Sequence, residues 1–412
     1  MDPGVPQAVA DPRAAALTLA FVLGGVALGT ASGLLPGLHA NNMALLLAAV
    51  APALPGPPLL VGCAMLAAGV VHTFLDVVPA LALGVPDSAM AASALPGHRL
   101  VLAGRGGEAL RLSALGSASA VVVALPLALP MTRLMTALYP TVRAHLPLVL
   151  GATALALVLT EPTVRGAIGG ALALLASGAL GWVALDLPVD GLLETGDVLL
   201  PLFAGLFGAP VLLDAVGGGG VPPQDDPSVT LSRRAVAGLG GLGTVAGAVV
   251  GYVPGVSSAI AATLALLAVP GRYGGRGFIV ATSGVNTANT IFALFALVAL
   301  GQPRTGVLVA MDRAGVPLDL PSLLATVALA AAAGFALVVL VGDRYLRVAG
   351  RVDATRLSLS VLGLLCALSF AFAGGLGVGL LAVSTLVGLL PVRFGARRAH
   401  LMGVLMGPLM LL

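Results

Sequence analysis

The sequence predicts an all-α polytopic membrane protein made of two inverted repeats with broken or re-entrant helices at Pro–Gly motifs. Of the 412 residues, 58% are hydrophobic and only 9% are charged, and the mean hydropathy is +1.08. Soluble domains carry roughly 25% charged residues, so this chain has too little charge to cover a water-facing surface. Long apolar runs are separated by short breaks that contain Arg or Pro–Gly, and similar motifs recur in the two halves. We therefore expect a multi-pass protein of the cell membrane, surrounded by the lipid bilayer.

The composition also excludes several functional classes. All 20 basic residues are Arg, and without Lys the chain contains neither a Walker A motif nor a Schiff-base lysine. The net charge of +3 is small and lies in predicted loops, so we expect no nucleic-acid partner. The five His are scattered, so no metal site is expected. Cys63 and Cys366 lie inside apolar runs and are expected to be buried thiols.

The apolar segments follow one another along the whole chain. A bilayer core of about 30 Å needs roughly 20 helical residues, and several segments are shorter, so we expect roughly 10 to 14 membrane segments. Two short segments, 40–54 and 256–270, each follow a Pro–Gly pair, which predicts broken or re-entrant helices buried in the protein. The segments are 14–35, 40–54, 59–84, 109–130, 146–160, 164–186, 197–215, 235–253, 256–270, 276–300, 320–342, 357–373, 375–391 and 399–412.

A repeated glycine pattern divides the chain into two halves. The pattern GxxxGxxxGxxPG begins at Gly25 and again at Gly243, 218 residues later. Small residues at this spacing let helices approach closely. The pattern predicts a first membrane repeat at 14–190 and a second at 232–412. The connecting segment 191–231 is predicted to hold one membrane helix and a linker rich in Gly, Pro and Asp.

The distribution of Arg predicts that the two repeats have opposite orientations. Arg usually marks the cytoplasmic side of a membrane protein. The stretch 99–111 contains three Arg and its counterpart 314–328 none, whereas 55–58 has none and its counterpart contains Arg272 and Arg276. Basic loops therefore exchange with neutral ones between the halves, as an inverted repeat requires. Four residues fit this assignment poorly: Arg133, Arg143, Arg304 and Arg313.

Polar residues follow both Pro–Gly breaks. Pro removes a backbone donor and Gly accepts unusual dihedral angles, so one helix ends there and another begins with N–H groups that can bind an anion. Two such helix starts from opposed repeats form the expected site of a secondary transporter. N-capping and helix–helix hydrogen bonds are the alternative explanation for these polar side chains. The predicted substrate-binding residues are Pro36, Gly37, His39, Asn41, Asn42, Pro254, Gly255, Ser257, Ser258, Asn286 and Asn289.

A second polar group lies in the apolar run after the first break. His72 and Asp76 are four residues apart, so they share one face of a helix. Such a pair can take and release a proton near neutral pH, and a static buried pair or a position at the membrane edge is the alternative. Thr and Asn side chains with unwound carbonyls could instead hold Na⁺. The predicted ion-coupling residues are His72, Thr73, Asp76, Thr287 and Thr290, with Na⁺ or H⁺ as coupling ion and no other cofactor.

Enzymatic activity and catalytic residues are not expected. Gly255-Val-Ser257 superficially resembles the serine motif of rhomboid proteases, but the only downstream histidine is His400. The apolar segments contain no clustered acids of the kind that Mg²⁺-dependent prenyl transfer needs. An intramembrane hydrolase that uses Ser257 and a purely structural membrane subunit are the less favoured alternatives.

Several motifs resemble those of one transporter family. Gly33-Leu-Leu-Pro-Gly-Leu38 and Gly251-Tyr-Val-Pro-Gly-Val256 resemble the paired Pro–Gly motifs of the large permease subunit of tripartite tricarboxylate transporters. Leu95-Pro-Gly-His-Arg-Leu100 and Asn286-Thr-Ala-Asn-Thr290 resemble two further motifs of that subunit in order and spacing. The resemblance covers about 14–400 and identifies the chain as a compact, divergent member.

The resemblance and the paired breaks together imply a function. We expect a secondary active transporter of small organic anions such as di- or tricarboxylates, coupled to Na⁺ or H⁺ by alternating access. The resemblance implies a small membrane subunit and an extracytoplasmic binding protein as partners, and a homodimer is a further expectation. An anionic lipid headgroup, such as polyprenyl phosphate, is the alternative cargo.

Overall fold

The chain is described by a computed structural model over residues 12–35, 43–44, 47, 51, 56–83, 91–192, 198–217, 221–351 and 353–411. All regular elements in these ranges are helical, and no strand occurs among them. The predicted all-α class is therefore confirmed.

The first half of the chain forms a series of helices that differ widely in length. In order they are α1 (Pro12–Gly33), α2 (Pro58–Leu75), α3 (Val77–Leu83), α4 (Ala91–Leu102), α5 (Gly106–Ala144), α6 (Leu146–Leu159) and α7 (Val164–Ala184). An apolar unit follows, which consists of α8 (Leu199–Phe203), a π-helical turn (Ala204–Gly208) and α9 (Ala209–Asp214). Thr163 caps α7, because its hydroxyl accepts a hydrogen bond from the N–H of Gly166 at 3.0 Å.

The second half contains a comparable series. Its helices are α10 (Arg233–Tyr252), α11 (Ser258–Leu266), α12 (Gly274–Leu300), α13 (Gly306–Arg313), α14 (Leu320–Ala349) and α15 (Ala354–Phe394), followed by a 3₁₀ turn (Arg398–Met402) and α16 (Gly403–Leu411). Helix α15 has non-helical dihedral angles at Ala373 and Gly374, which divide it into two parts.

Eight of the described helices are long and apolar enough to cross a membrane. Two shorter apolar helices, Leu146–Leu159 and Leu199–Asp214, accompany them. The chain is therefore a multi-pass membrane protein. The segment predicted at 256–270 is α-helical only over the nine residues Ser258–Leu266, which is too short to span a bilayer. The opposite orientation of the repeats and the boundaries near 190 and 232 stay predictions.

The repeated glycines bring corresponding helices into close contact. A Cβ atom on Gly25 of α1 would clash with the backbone oxygen of Ala64 on α2. A Cβ atom on Gly243 of α10 would clash in the same way with Ala281 on α12. The glycine ridge therefore serves helix packing in both halves, as small-residue ridges do in membranes.

The two halves are interleaved. Helix α12 of the second half packs against α5, and α14 packs against α2. In addition, α16 packs against α7, and the apolar unit at 199–214 packs against α15. Glu108 near the start of α5 joins the halves further, because its carboxylate accepts hydrogen bonds from Thr230 and forms an ion pair with Arg276 of α12 at 3.0 Å.

A buried ion cluster fixes the C-terminal unit to the loop between α6 and α7. The Glu161 carboxylate oxygen Oε1 lies 2.8 Å from Nε2 of His400 and accepts a hydrogen bond from the backbone N–H of Arg397 at 3.0 Å. The Arg397 guanidinium donates to the hydroxyl and the carbonyl oxygen of Thr160. The Glu161 and His400 side chains are 1% and 0% exposed, so water cannot replace these contacts.

Candidate functional site

The second Pro–Gly pair breaks the chain between α10 and α11. Helix α10 ends at Tyr252, and Val253 is extended. Gly255 has a φ of +76°, a conformation that favours glycine, and a Cβ atom there would lie 2.9 Å from Leu409. Ser257 then caps α11, because its hydroxyl accepts a hydrogen bond from the N–H of Ile260 at 3.4 Å. The break therefore places the N-terminus of α11 inside the protein.

A cavity of about 370 Å³ opens at this N-terminus. Its walls come from α2, α8, α10, α11, α12, the 3₁₀ turn before α16, α16 itself, and the start of α13 with the turn that precedes it. Most of the wall is apolar, with a small number of polar groups, which is the usual character of a small-molecule site. The polar side chains that line it are Thr73, Ser257, Ser258, Asn286, Asn289, Thr290, Arg304 and Thr305.

A second helix also begins at the cavity wall. Thr305, Gly306 and Val307 line the cavity, and Gly306 is the first residue of α13. The Thr305 hydroxyl is buried and has no hydrogen-bond partner among the described residues. The positive ends of the α11 and α13 dipoles therefore lie at one cavity, an arrangement that favours an anion there.

Two asparagines of α12 line the same cavity and contact different elements. The Asn289 amide donates a hydrogen bond to the Ser258 hydroxyl at 3.1 Å. Its oxygen Oδ1 is buried and has no partner within the part of the chain that the structure describes. The Asn286 amide donates to the Asp76 carboxylate at 2.7 Å and weakly to the carbonyl oxygen of Thr73 at 3.4 Å. Asn286 thus connects the cavity wall to the break between α2 and α3.

Two of the predicted ion-coupling residues, His72 and Asp76, lie at that break. Asp76 interrupts the helix between Leu75 and Val77 and is 3% exposed. His72, which is completely buried, has Nδ1 at 2.9 Å from the Ser32 hydroxyl of α1. The two side chains therefore contact opposite neighbours, α1 for His72 and α12 for Asp76.

The three threonines of the predicted ion site have different surroundings. Thr73 and Thr290 line the cavity, and the Thr73 hydroxyl donates to the Val70 carbonyl oxygen at 2.8 Å. Thr287 is 1% exposed and does not line the cavity, and its hydroxyl has no hydrogen-bond partner among the described residues. The structure therefore brings Thr73 and Thr290 to the cavity and leaves Thr287 behind its wall.

Five predicted substrate-binding residues cannot be placed. Pro36, Gly37, His39, Asn41 and Asn42 lie outside the described residues. The described cavity is therefore built around the second Pro–Gly break, at Pro254 and Gly255.

Arg304 is a cavity residue that the sequence analysis missed. It is one of the four arginines that fit the loop assignment poorly, and it lies in the cavity wall and not in a solvated loop. The sequence feature that indicates this position is Gln302-Pro-Arg304, which directly follows the asparagine-bearing helix. No other described residue of the wall carries a full charge.

The cavity gives no support to a serine hydrolase. Ser257 accepts a hydrogen bond from the backbone of α11, and no histidine occurs among the described residues of the cavity wall. His400 instead contacts Glu161. The described cavity wall therefore contains no Ser–His pair of the kind that nucleophilic catalysis uses.

Comparisons with known proteins place the sequence among membrane carriers. The family model described as the tripartite tricarboxylate transporter TctA family matches residues 19–403. The "Uncharacterized protein MJ1079" of Methanocaldococcus jannaschii is 27% identical over 304 residues, which cover 71% of this chain and 71% of that protein. No solved structure matches.

Proposed function

We propose that the chain, which belongs to the tripartite tricarboxylate transporter TctA family, is a secondary permease. We propose further that its cavity at Pro254–Gly255 holds a small organic di- or tricarboxylate. The observation that carries this proposal is the arrangement of two helix N-termini and several uncharged donors around one cavity of about 370 Å³. Helix N-termini favour negative groups through their dipoles. Ser257, Ser258 and Asn289 supply further hydrogen-bonding groups at the α11 side.

We propose that the coupling ion acts through Asp76 and Asn286. The Asn286 side chain both lines the cavity and donates its amide to the Asp76 carboxylate. A Na⁺ ion or a proton on Asp76 weakens the attraction of that carboxylate for the amide, which can then donate to the substrate. Because binding at one site changes the free energy of binding at the other, ion and substrate are coupled reciprocally.

We propose that this coupling operates during transport by alternating access. Broken helices near the middle of the membrane form the binding sites of many secondary transporters, and one group of helices moves relative to another around the site. We propose that α10–α12 move relative to the helices that cover them, in a rocking or elevator-like motion. Members of the family work with a small membrane subunit and a binding protein, and we propose the same partners here, with a homodimer as a further proposal.

A thermal-shift screen of the purified full chain tests this function. Carboxylates, inorganic phosphate and polyprenyl phosphate are added separately, with and without Na⁺ and at two pH values. A ligand at 100 times its Kd stabilises the folded state by about 2.7 kcal/mol. We expect a carboxylate-specific rise in melting temperature that depends on Na⁺ or on pH.

Two variants test whether the carboxylate that raises the melting temperature binds in the cavity. Asn289→Ala removes the amide that contacts Ser258, and we expect it to abolish the carboxylate-dependent shift. Thr18→Ala is the matched control, since among the described residues the Thr18 hydroxyl donates to the Ala14 carbonyl oxygen of its own helix. A shift with polyprenyl phosphate alone would favour the lipid cargo, and a shift that persists in Asn289→Ala would contradict the proposed site.

A further inference from the structure

We infer that Arg304, positioned by Tyr139, binds one carboxylate of the substrate and so sets the preference for anions with more than one carboxylate. This inference rests on the proposed function and names the residue that makes the cavity selective for the charge of the substrate. Arg304 is the charged side chain among the described residues of the cavity wall. It directly precedes Thr305, the N-cap of α13, so a positively charged residue flanks the positive end of that helix dipole.

The guanidinium is held in place from the other half of the chain. Its Nη2 donates a hydrogen bond to the Tyr139 hydroxyl of α5 at 2.6 Å. Its central carbon lies 5.4 Å from the centroid of the Tyr139 ring, within the range of a cation–π contact. Tyr139 therefore fixes the direction of the guanidinium without neutralising its charge.

One donor of the guanidinium has no acceptor within the described part of the chain. The Nε of Arg304 is buried and has no hydrogen-bond partner among the described residues. A buried donor without an acceptor is unfavourable, and a carboxylate oxygen at the cavity would satisfy it. The planar guanidinium also suits carboxylates geometrically, because parallel N–H groups can reach both carboxylate oxygens.

The cavity therefore offers separate positions for two carboxylates. One position is at the N-terminus of α11, with Ser257, Ser258 and Asn289. The other is at Arg304 and the N-terminus of α13. Because a monocarboxylate has a single charged group, it can occupy one of these positions at a time, whereas a dicarboxylate can occupy both.

Isothermal titration calorimetry on the full chain tests this inference with tricarballylate, glutarate and butyrate. We expect Arg304→Gln to weaken the binding of tricarballylate and glutarate by about 10- to 100-fold, as expected for the loss of one charge-assisted contact. The change for butyrate is expected to stay within about threefold, since butyrate can bind at α11 alone. Arg304→Lys keeps the charge but loses the planar fork, so its affinities should fall between those of the wild type and Arg304→Gln.

Two further variants separate recognition from folding. Arg313→Gln removes an exposed arginine at the other end of α13 and is expected to bind all three anions like the wild type. Tyr139→Phe is expected to weaken glutarate binding several-fold on its own and to add nothing to Arg304→Gln, because both changes act on the same contact. A structural role of Tyr139 would instead give additive losses.

The outcomes distinguish this inference from the proposed function. If the wild type binds none of the carboxylates, the proposed function is contradicted. If the wild type binds glutarate and Arg304→Gln binds it equally well, the proposed function stands and the role of Arg304 is wrong. An equal loss for butyrate and glutarate would also overturn the inference, because Arg304 would then not select for a second carboxylate.

Discussion

Replacing Asp76 with asparagine is expected to abolish ion-driven accumulation of the substrate. Asp76 is 3% exposed and lies at the break between α2 and α3, where the Asn286 amide donates to its carboxylate. Asparagine has nearly the same size and can still accept that hydrogen bond, but it can neither take up a proton nor supply a negative charge to Na⁺. Concentrative uptake into proteoliposomes should fall by about 100-fold, which corresponds to about 2.7 kcal/mol.

The uptake assay also identifies the coupling ion. With the wild type, accumulation should follow either an imposed Na⁺ gradient or an imposed pH gradient, and the Asp76→Asn variant should respond to neither. Asp312→Asn, which changes an exposed acid of α13, is the matched control and should transport normally. Normal accumulation by Asp76→Asn would contradict the coupling mechanism, and the ion site would then have to lie elsewhere.

The Glu161→Gln variant is expected to be less stable than the wild type, and its melting temperature is expected to depend less on pH. Burial alone would raise the pKa of Glu161, but hydrogen bonds from His400 and the Arg397 backbone, together with the positive charge of Arg397, hold it below its ordinary value of 4.5. A carboxylate with a lowered pKa stabilises the folded state above pH 4.5. That contribution is lost as the pH falls through the lowered value.

Removing the charge leaves its partners without a counterion. Breaking a fully buried ion pair costs about 3–5 kcal/mol. Because Arg397 is 30% exposed, a smaller loss of about 2 kcal/mol is expected for Glu161→Gln near pH 7. The melting temperature of the wild type should fall as the pH drops below 4.5, and the curve of the variant should be flatter. Asp186→Asn, an exposed control, should keep the wild-type curve, and an unchanged Glu161→Gln curve would show that the cluster adds no stability.

The sequence predicted the fold class well because composition and helix length report directly on burial in a bilayer. The glycine pattern beginning at Gly25 and Gly243 also indicated helix contacts that the structure contains. The interleaving of the halves was not predicted, since contacts such as α12 with α5 and α16 with α7 depend on tertiary packing and not on any local pattern.

The candidate site was only partly accessible from the sequence. The break at Pro254–Gly255 and the polar residues around it were visible, because Pro and Gly have local effects on the backbone. The contact between Asn286 and Asp76 was not visible, since 210 residues separate them along the chain. Arg304 was missed because its charge suggested a solvated loop, and only the folded chain shows that it lines the cavity.

An experimental density map of the full chain in lipid nanodiscs with saturating tricarballylate tests the central claim most directly. The account predicts ligand density in the cavity at Pro254–Gly255, with carboxylate oxygens within about 3.2 Å of the Ser257–Ser258 turn and of the Arg304 guanidinium. Density bound elsewhere, with this cavity empty at a ligand concentration that saturates binding, would contradict the account.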